Sequence, residues 1–213
     1  MNNRVGLEEM HRAGFPMGGE PLVALDLADT LAAESTPGDG ELLTSPERST
    51  AWWGLQLPSL PASPAPGLVP TLRLRAAIRE LLEAHLDGRS PDPASVEEVN
   101  AVAASVPTSP RLGREPAAGS PSPEAELAAH TRWHTEHGGN VALAAVAREA
   151  IELFGDAGRL SRLRRCANPD CTMLFLATNR RRRWCAGSVC GNRVRVARHY
   201  RRTHVPQAGQ EER

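Results

Sequence analysis

Four cysteines, Cys166, Cys171, Cys185 and Cys190, are the only thiols of the 213-residue chain, and their spacing is C-x4-C-x13-C-x4-C. Two close thiol pairs joined by a longer arm suit tetrahedral zinc, each pair giving two ligands from one tight turn. Inside the first pair, Asn168 and Asp170 flank Pro169, which is turn chemistry. Disulfides would need an oxidising compartment, and the C-x-x-C spacing of thiol–disulfide exchange is absent, so metal binding is the favoured chemistry. A closed four-sulfur site keeps no open coordination position, so one such ion per chain is structural rather than catalytic. A segment this small cannot hold itself together by core burial, whereas structural zinc adds roughly 10–16 kcal/mol of binding coupled to folding.

Arginines surround the cysteines. Residues 159–204 carry 13 Arg and one acid, Asp170, while residues 1–158 carry 11 Arg against 22 Asp and Glu. The chain has no Lys at all, so Arg is not a choice made at any one position. Arg180, Arg181, Arg182 and Arg183 form one run. On a helix at about 100° per residue, Arg195, Arg198 and Arg202 share a face, with Arg201 beside them. Val196, Ala197 and Tyr200 share the other, with Arg193 among them; that face is expected to pack on the metal core. Guanidinium forks match phosphate oxygens and guanine edges, so these arginines are expected to contact DNA. An acidic protein surface, RNA, or plain solvation are the competing readings, and the acidic half could dock on the basic one and mask it. Asn192 and Arg193, next to the last cysteine, are expected to support the metal site.

The elements that must position these groups are mostly helical. "LVALDLADTL" (22–31) reads as a helix, and Ser45 before Pro46 starts another that carries Trp52 and Trp53. Five prolines over 56–70 predict an extended connection. Residues 71–88 form the longest helix, with Thr71 as its cap and Gly88 as its stop. Asp92 caps a further helix with Pro93 in its first turn, and Asn140 caps a third, whose Ala144, Ala147, Ile151 and Phe154 share a face. Residues 106–123, rich in Pro, Ser and Gly, read as a loop, and a short strand is expected before Gly138–Gly139. In the basic segment "MLFLAT" reads as a strand with "RRRW" as its return, followed by a helix capped by Ser188. Knuckle, hairpin and helix in that order make a treble-clef-like zinc module. The expected class is therefore α+β: an acidic, mainly helical domain over 1–158, a basic four-cysteine module over 159–204, and a disordered tail over 205–213.

"CANPDC", "LFL", "RRWC" and "CGNR" together resemble the CGNR zinc finger over roughly 159–202. Upstream, "LVALDLADTL", "STAWWG", "LRLRAAIRELLEAHLDG", "VNAVAA" and "VALAAVAREAIELF" resemble the ABATE domain. The resemblance implies a zinc-binding transcription regulator, often described as stress-induced, with zinc on Cys166, Cys171, Cys185 and Cys190. The chain departs from the pattern where Ala177 stands for a usual Asp, Asn179 for a usual Ser, and Asp29 for an expected Asn.

His130, His134 and His137 would share a helix face and could hold a second metal, but the following Gly pair and Trp133 favour a strand and exposed histidines. Asp26 and Asp29 lie in an apolar run, where capping or turn roles are commoner than a ligand role. No nucleophile elbow, phosphate-binding loop or dinucleotide fingerprint is present, so no enzyme is expected. The N-terminus lacks the apolar run of a secretory signal, and no segment is long enough to span a membrane, so a cytoplasmic protein is expected. The combined expectation is a DNA-binding regulator whose N-terminal domain binds a small-molecule or protein ligand; an RNA- or protein-binding adaptor, or a small-molecule-binding protein with a structural zinc, are the alternatives.

Overall fold

The computed structural model describes residues 6–15, 20–31, 40–116 and 125–204, so the expected tail over 205–213 lies outside the described residues. The helices of the acidic segment are α1 (Leu7–Arg12), α2 (Val23–Ala28), α3 (Pro46–Gln56), α4 (Leu68–Asp87), α5 (Pro93–Ala104), α6 (Val141–Gly155) and α7 (Ala157–Leu160). Strands β1 (Thr108–Pro116) and β2 (Ala125–Trp133) form an antiparallel ribbon. In the basic segment, β3 (Leu163–Arg165) pairs antiparallel with β4 (Leu174–Leu176), and a π-helical turn, Gly187–Gly191, runs into α8 (Asn192–His204). No helix among the described residues is long and apolar enough to cross a membrane.

Side-chain caps fix the starts of α3, α5 and α6. Ser45 Oγ accepts from Arg48 N–H, Asp92 Oδ1 from Ala94 N–H, and Asn140 Oδ1 from Leu143 N–H, each satisfying a donor the first turn cannot pair internally. Gly88 takes the left-handed conformation that ends α4. Thr71 is not the α4 cap. The helix starts earlier, after Gly67, and Pro70 is accommodated in its first turn, where no N–H partner is needed. Thr71 instead accepts from Trp53 Nε1 at 3.0 Å and donates to Gly67 O at 2.8 Å.

Three further expectations are corrected. Residues 108–116 form a strand rather than a loop: in a two-stranded ribbon every strand is an edge, so Pro110 and Gly113 are tolerated. On α6 the inward stripe at the C-terminal end is Ala150 and Leu153, while Ile151 is exposed and Phe154 half-buried. And β4 pairs with upstream β3, not with the "RRRW" segment, which bends away because Asn179 Oδ1 accepts from the N–H groups of Arg181 and Arg182.

One apolar core runs through both halves of the chain. Trp52, Trp53, Leu74, Ile78, Leu82, Ala147 and Leu153 belong to the same buried cluster as Leu163, Leu174, Phe175, Leu176 and Cys190. Strand β4 is buried along its whole length, so the basic segment packs into the helical one rather than hanging beside it.

Candidate metal centre

The cysteines reach one point from three local structures. Cys166 follows β3, and its N–H donates to Met173 O at 2.9 Å. Cys171 closes the Asn168–Pro169–Asp170 turn through N–H to Asn168 O at 3.0 Å. Cys190 sits in the π-helical turn, its N–H donating to Ala186 O at 3.0 Å. Gly191 keeps that turn close to Trp184, since a Cβ there would lie 3.2 Å from Trp184 Cδ1. Ser188 lies within the turn rather than capping it, the preceding residue being Ala186.

All four Sγ atoms lie within 4.8 Å of one another, and none is in a disulfide. Sulfurs at the corners of a zinc tetrahedron, with bonds of about 2.3 Å, stand about 3.8 Å apart. The Cys171–Cys185 and Cys185–Cys190 separations are 3.8 and 3.6 Å, so the set fits that ion. The electrostatics point the same way. A hydrogen bond from Cys185 lowers Cys171 to about 5, and that same contact, with burial, pushes Cys185 up. Burial raises Cys190 to about 11. The four sulfurs alone cannot all be thiolates, and a central dication supplies the missing charge.

Asn168 lies nearest the sulfurs among polar side chains: it is buried and its Nδ2 donates to Cys190 Sγ at 3.8 Å. The turn-forming reading of Asn168 missed this second contact. Asn192 and Arg193, expected to support the site, are both exposed at the start of α8, where Asn192 accepts from Arg195.

Carboxylates from the acidic half fasten this centre in place. Cys166 N–H to Met173 O and Ala177 N–H to Arg162 O set the β3–β4 ladder, so Leu174 and Leu176 point their N–H groups to the open edge. Among the described residues, no strand meets that edge. Asp29 Oδ1 accepts from Leu174 N–H at 2.9 Å, and Glu20 Oε2 from Leu176 N–H at 3.1 Å. Both acids are buried, and burial raises the Asp29 carboxyl well above its ordinary range, against the pull of the Leu174 bond and the Arg79 charge. Arg79, on α4, donates to Ala28 O, Leu31 O and Thr172 O, tying the end of α2 to the first cysteine turn. Asp26 is also buried and accepts from Glu20 N–H at 3.3 Å. The side chains of Asp26 and Asp29 thus bond backbone N–H groups away from their own helix, rather than taking the capping or turn roles the sequence favoured.

The arginines divide. Arg182 turns inward: it donates to Glu20 Oε1 at 2.8 Å, to Leu176 O and Cys185 O, and lies 4.4 Å over the Phe175 ring. Arg165 pairs with Asp87 at 2.8 Å. Arg180, Arg181, Arg183, Arg193 and Arg195 are exposed, whereas the side chains of Arg198, Arg201 and Arg202 lie outside the described residues. The apolar face of α8 does not pack on the metal core as expected: Val196 is 58% and Tyr200 61% exposed.

His134 bonds Ser109 of the ribbon and Glu136 just beyond it, and the side chain of His137 lies outside the described residues. Among the described residues, the four cysteines are the one group able to hold a metal ion.

Residues 22–157, more than half of the chain, match the ABATE family, described as "Putative stress-induced transcription regulator". Residues 162–203 match the CGNR zinc finger. No match was found among curated proteins. The geometry and the finger match together give the chain one structural zinc, on Cys166, Cys171, Cys185 and Cys190.

Proposed function

The chain belongs to the ABATE family and carries a CGNR zinc finger, and from that premise we propose that it is a non-catalytic, DNA-binding transcription regulator of stress responses. The observation that carries the reading is the exposed set Arg180, Arg181, Arg183, Arg193 and Arg195, mounted on a module that zinc and a shared core make rigid. The zinc shapes the module and contacts no substrate. The arginines bind backbone phosphates, and the exposed start of α8 offers side chains to a groove.

The N-terminal domain supplies the sensing half of the proposal. An apolar groove of about 230 Å³ lies between α4, α5 and α6, lined by Leu81, Val96, Val99, Ile151 and Phe154 with Asn100 at hand as a polar contact. Its size suits a small apolar molecule. A protein-binding adaptor is the second reading, favoured by the exposure of Val196 and Tyr200.

Salt dependence of binding to mixed-sequence duplex DNA tests the main reading. Contact with about six phosphates gives a log–log slope near −5. Changing Arg180, Arg181 and Arg183 together to Ala should flatten it by about three, with zinc content unchanged. Wild-type protein that ignores duplex DNA, or a triple variant with the wild-type slope, rejects the reading.

A further inference from the structure

The β1–β2 ribbon makes no use of its exposed surface within the fold. Its root is fixed: Arg148 donates to Ala103 O, Val106 O and Thr108 Oγ1 and lies 4.8 Å over the Trp133 ring. Beyond that root both faces are open: Leu112 and Leu127, on one face, are 70% and 71% exposed, and Arg111 and Arg132, on the other, are exposed as well. The register sets Arg111 opposite His130 and Ser109 opposite Arg132, so these four share one face. The imidazole of His130 lies across Gly113, where a Cβ would fall 2.6 Å from Nε2. A shallow groove, lined by Arg111, Gly113, His130 and Arg132, results.

Arg111 and Arg132, like the exposed Arg114 beside them and Arg12, stand apart from the engaged arginines of the acid-rich segment. In the acid-rich segment, Arg73, Arg75, Arg79 and Arg89 each pair with a glutamate, and Arg48 and Arg148 are taken by backbone carbonyls. Arg111 and Arg132 are exposed and have no ion-pair partner among the described residues, although acids outnumber arginines two to one in this half. A paired surface would have used them. An unpaired, groove-forming pair beside a histidine is complementary to phosphate oxygens.

We propose that this ribbon face is a second DNA contact, in which Arg111 and Arg132 each hold a backbone phosphate of the duplex the zinc finger engages. The inference rests on the DNA-binding reading above and extends it to a surface outside the finger. The ribbon is rooted near the start of α6 and the basic segment begins beyond its end, about 22 Å away for 15 residues, less than one turn of B-DNA. Farther out, the register places Glu115 opposite Glu126, so the contact is confined to the root half of the ribbon. Such a contact holds phosphate and reads no base, adding affinity without sequence preference.

The test uses the zinc-loaded full chain and a mixed-sequence duplex, comparing wild type with R111A/R132A and R111K/R132K. The Ala pair should flatten the log–log salt slope by about two, equally on unrelated sequences, with zinc content and far-UV circular dichroism unchanged. The Lys pair should restore the slope. A wild-type slope in the Ala pair, with wild-type protein binding DNA normally, overturns the ribbon contact and leaves the finger reading intact; this is also the outcome if the face serves RNA or an acidic protein. If wild-type protein does not bind the duplex, the underlying reading has failed and this inference falls with it.

Discussion

Replacing Arg182 with Ala should destabilise the protein far more than the same change at Arg181, one residue away. The Arg182 guanidinium serves Glu20 Oε1, Leu176 O, Cys185 O and Trp184 O and covers Phe175. Its loss removes the guanidinium partner of the Glu20 carboxylate, whose side chain is only 9% exposed and whose Oε2 accepts from Leu176 N–H. Removing one partner of a fully buried pair costs about 3–5 kcal/mol. Arg182 is itself a quarter exposed, so solvent screens part of this, and about 2–3 kcal/mol is expected. At about 2–4 °C per kcal/mol for a chain of this size, the melting temperature should drop by roughly 4–12 °C. Arg181 is exposed, and its replacement should stay within about 0.5 kcal/mol. The assay is thermal unfolding of zinc-loaded protein, with metal content checked before each melt. Adding E20Q to R182A should recover part of the loss, because the buried group that lost its guanidinium is then neutral. The DNA salt slope of R182A should match wild type. Equal melting temperatures for R182A and R181A, with zinc bound in both, would refute the reasoning that joins finger to helical domain through Glu20.

Two other changes probe the interior. Asp29→Asn should keep the bond from Leu174 N–H through its amide oxygen while removing a buried charge. The Asp29 carboxyl is raised above its ordinary 3.8 in the folded state, so native protein holds that proton more tightly than unfolded chain. Its contribution to stability is therefore most favourable at low pH and declines as pH rises from about 4 through the raised value. At neutral pH the Asn variant should be at least as stable as wild type, with a flatter stability profile over that window by denaturant unfolding; a large loss would show that the carboxylate charge itself is needed. Thr71→Val removes the acceptor of the buried Trp53 Nε1, and a loss of roughly 1–3 kcal/mol is expected from the same unfolding assay. An unchanged midpoint would mean the indole finds another partner.

What the sequence made legible follows the range of each interaction. Ser45, Asp92, Asn140 and Gly88 act on backbone within a few residues, so their roles could be read directly. The cysteine spacing likewise encodes its own chemistry, and the four sulfurs converge as expected. Thr71 was misread because its oxygen answers to a tryptophan 18 residues upstream. Strand β1 was hidden by Pro110 and Gly113, which are turn formers elsewhere but harmless on an edge. Glu20 gave no signal: its partners, Leu176 and Arg182, stand 156 and 162 residues away. The inward turn of Arg182 was unreadable for the same reason, since nothing in a run of four arginines distinguishes the one with a buried partner. Amphipathic spacing in α8 promised a packed face, but periodicity reports which residues share a side, not whether anything lies beside them.

The opposite charges of the two halves could have meant that one masks the other. The contacts argue for a different arrangement. The acids that reach the finger take backbone N–H groups at Leu174 and Leu176 and the side chains of Arg165 and Arg182. They grip the β3–β4 side, where an unpaired strand edge would otherwise be buried without partners. Arg180, Arg181, Arg183 and Arg195 remain exposed. Attachment therefore consumes the charges that face the helical domain and leaves those that face outward, which fixes the orientation of the free arginines relative to the helical domain and its apolar groove. Helix α4, which lines that groove, also carries Arg79 and Asp87, the residues that hold Thr172 and Arg165.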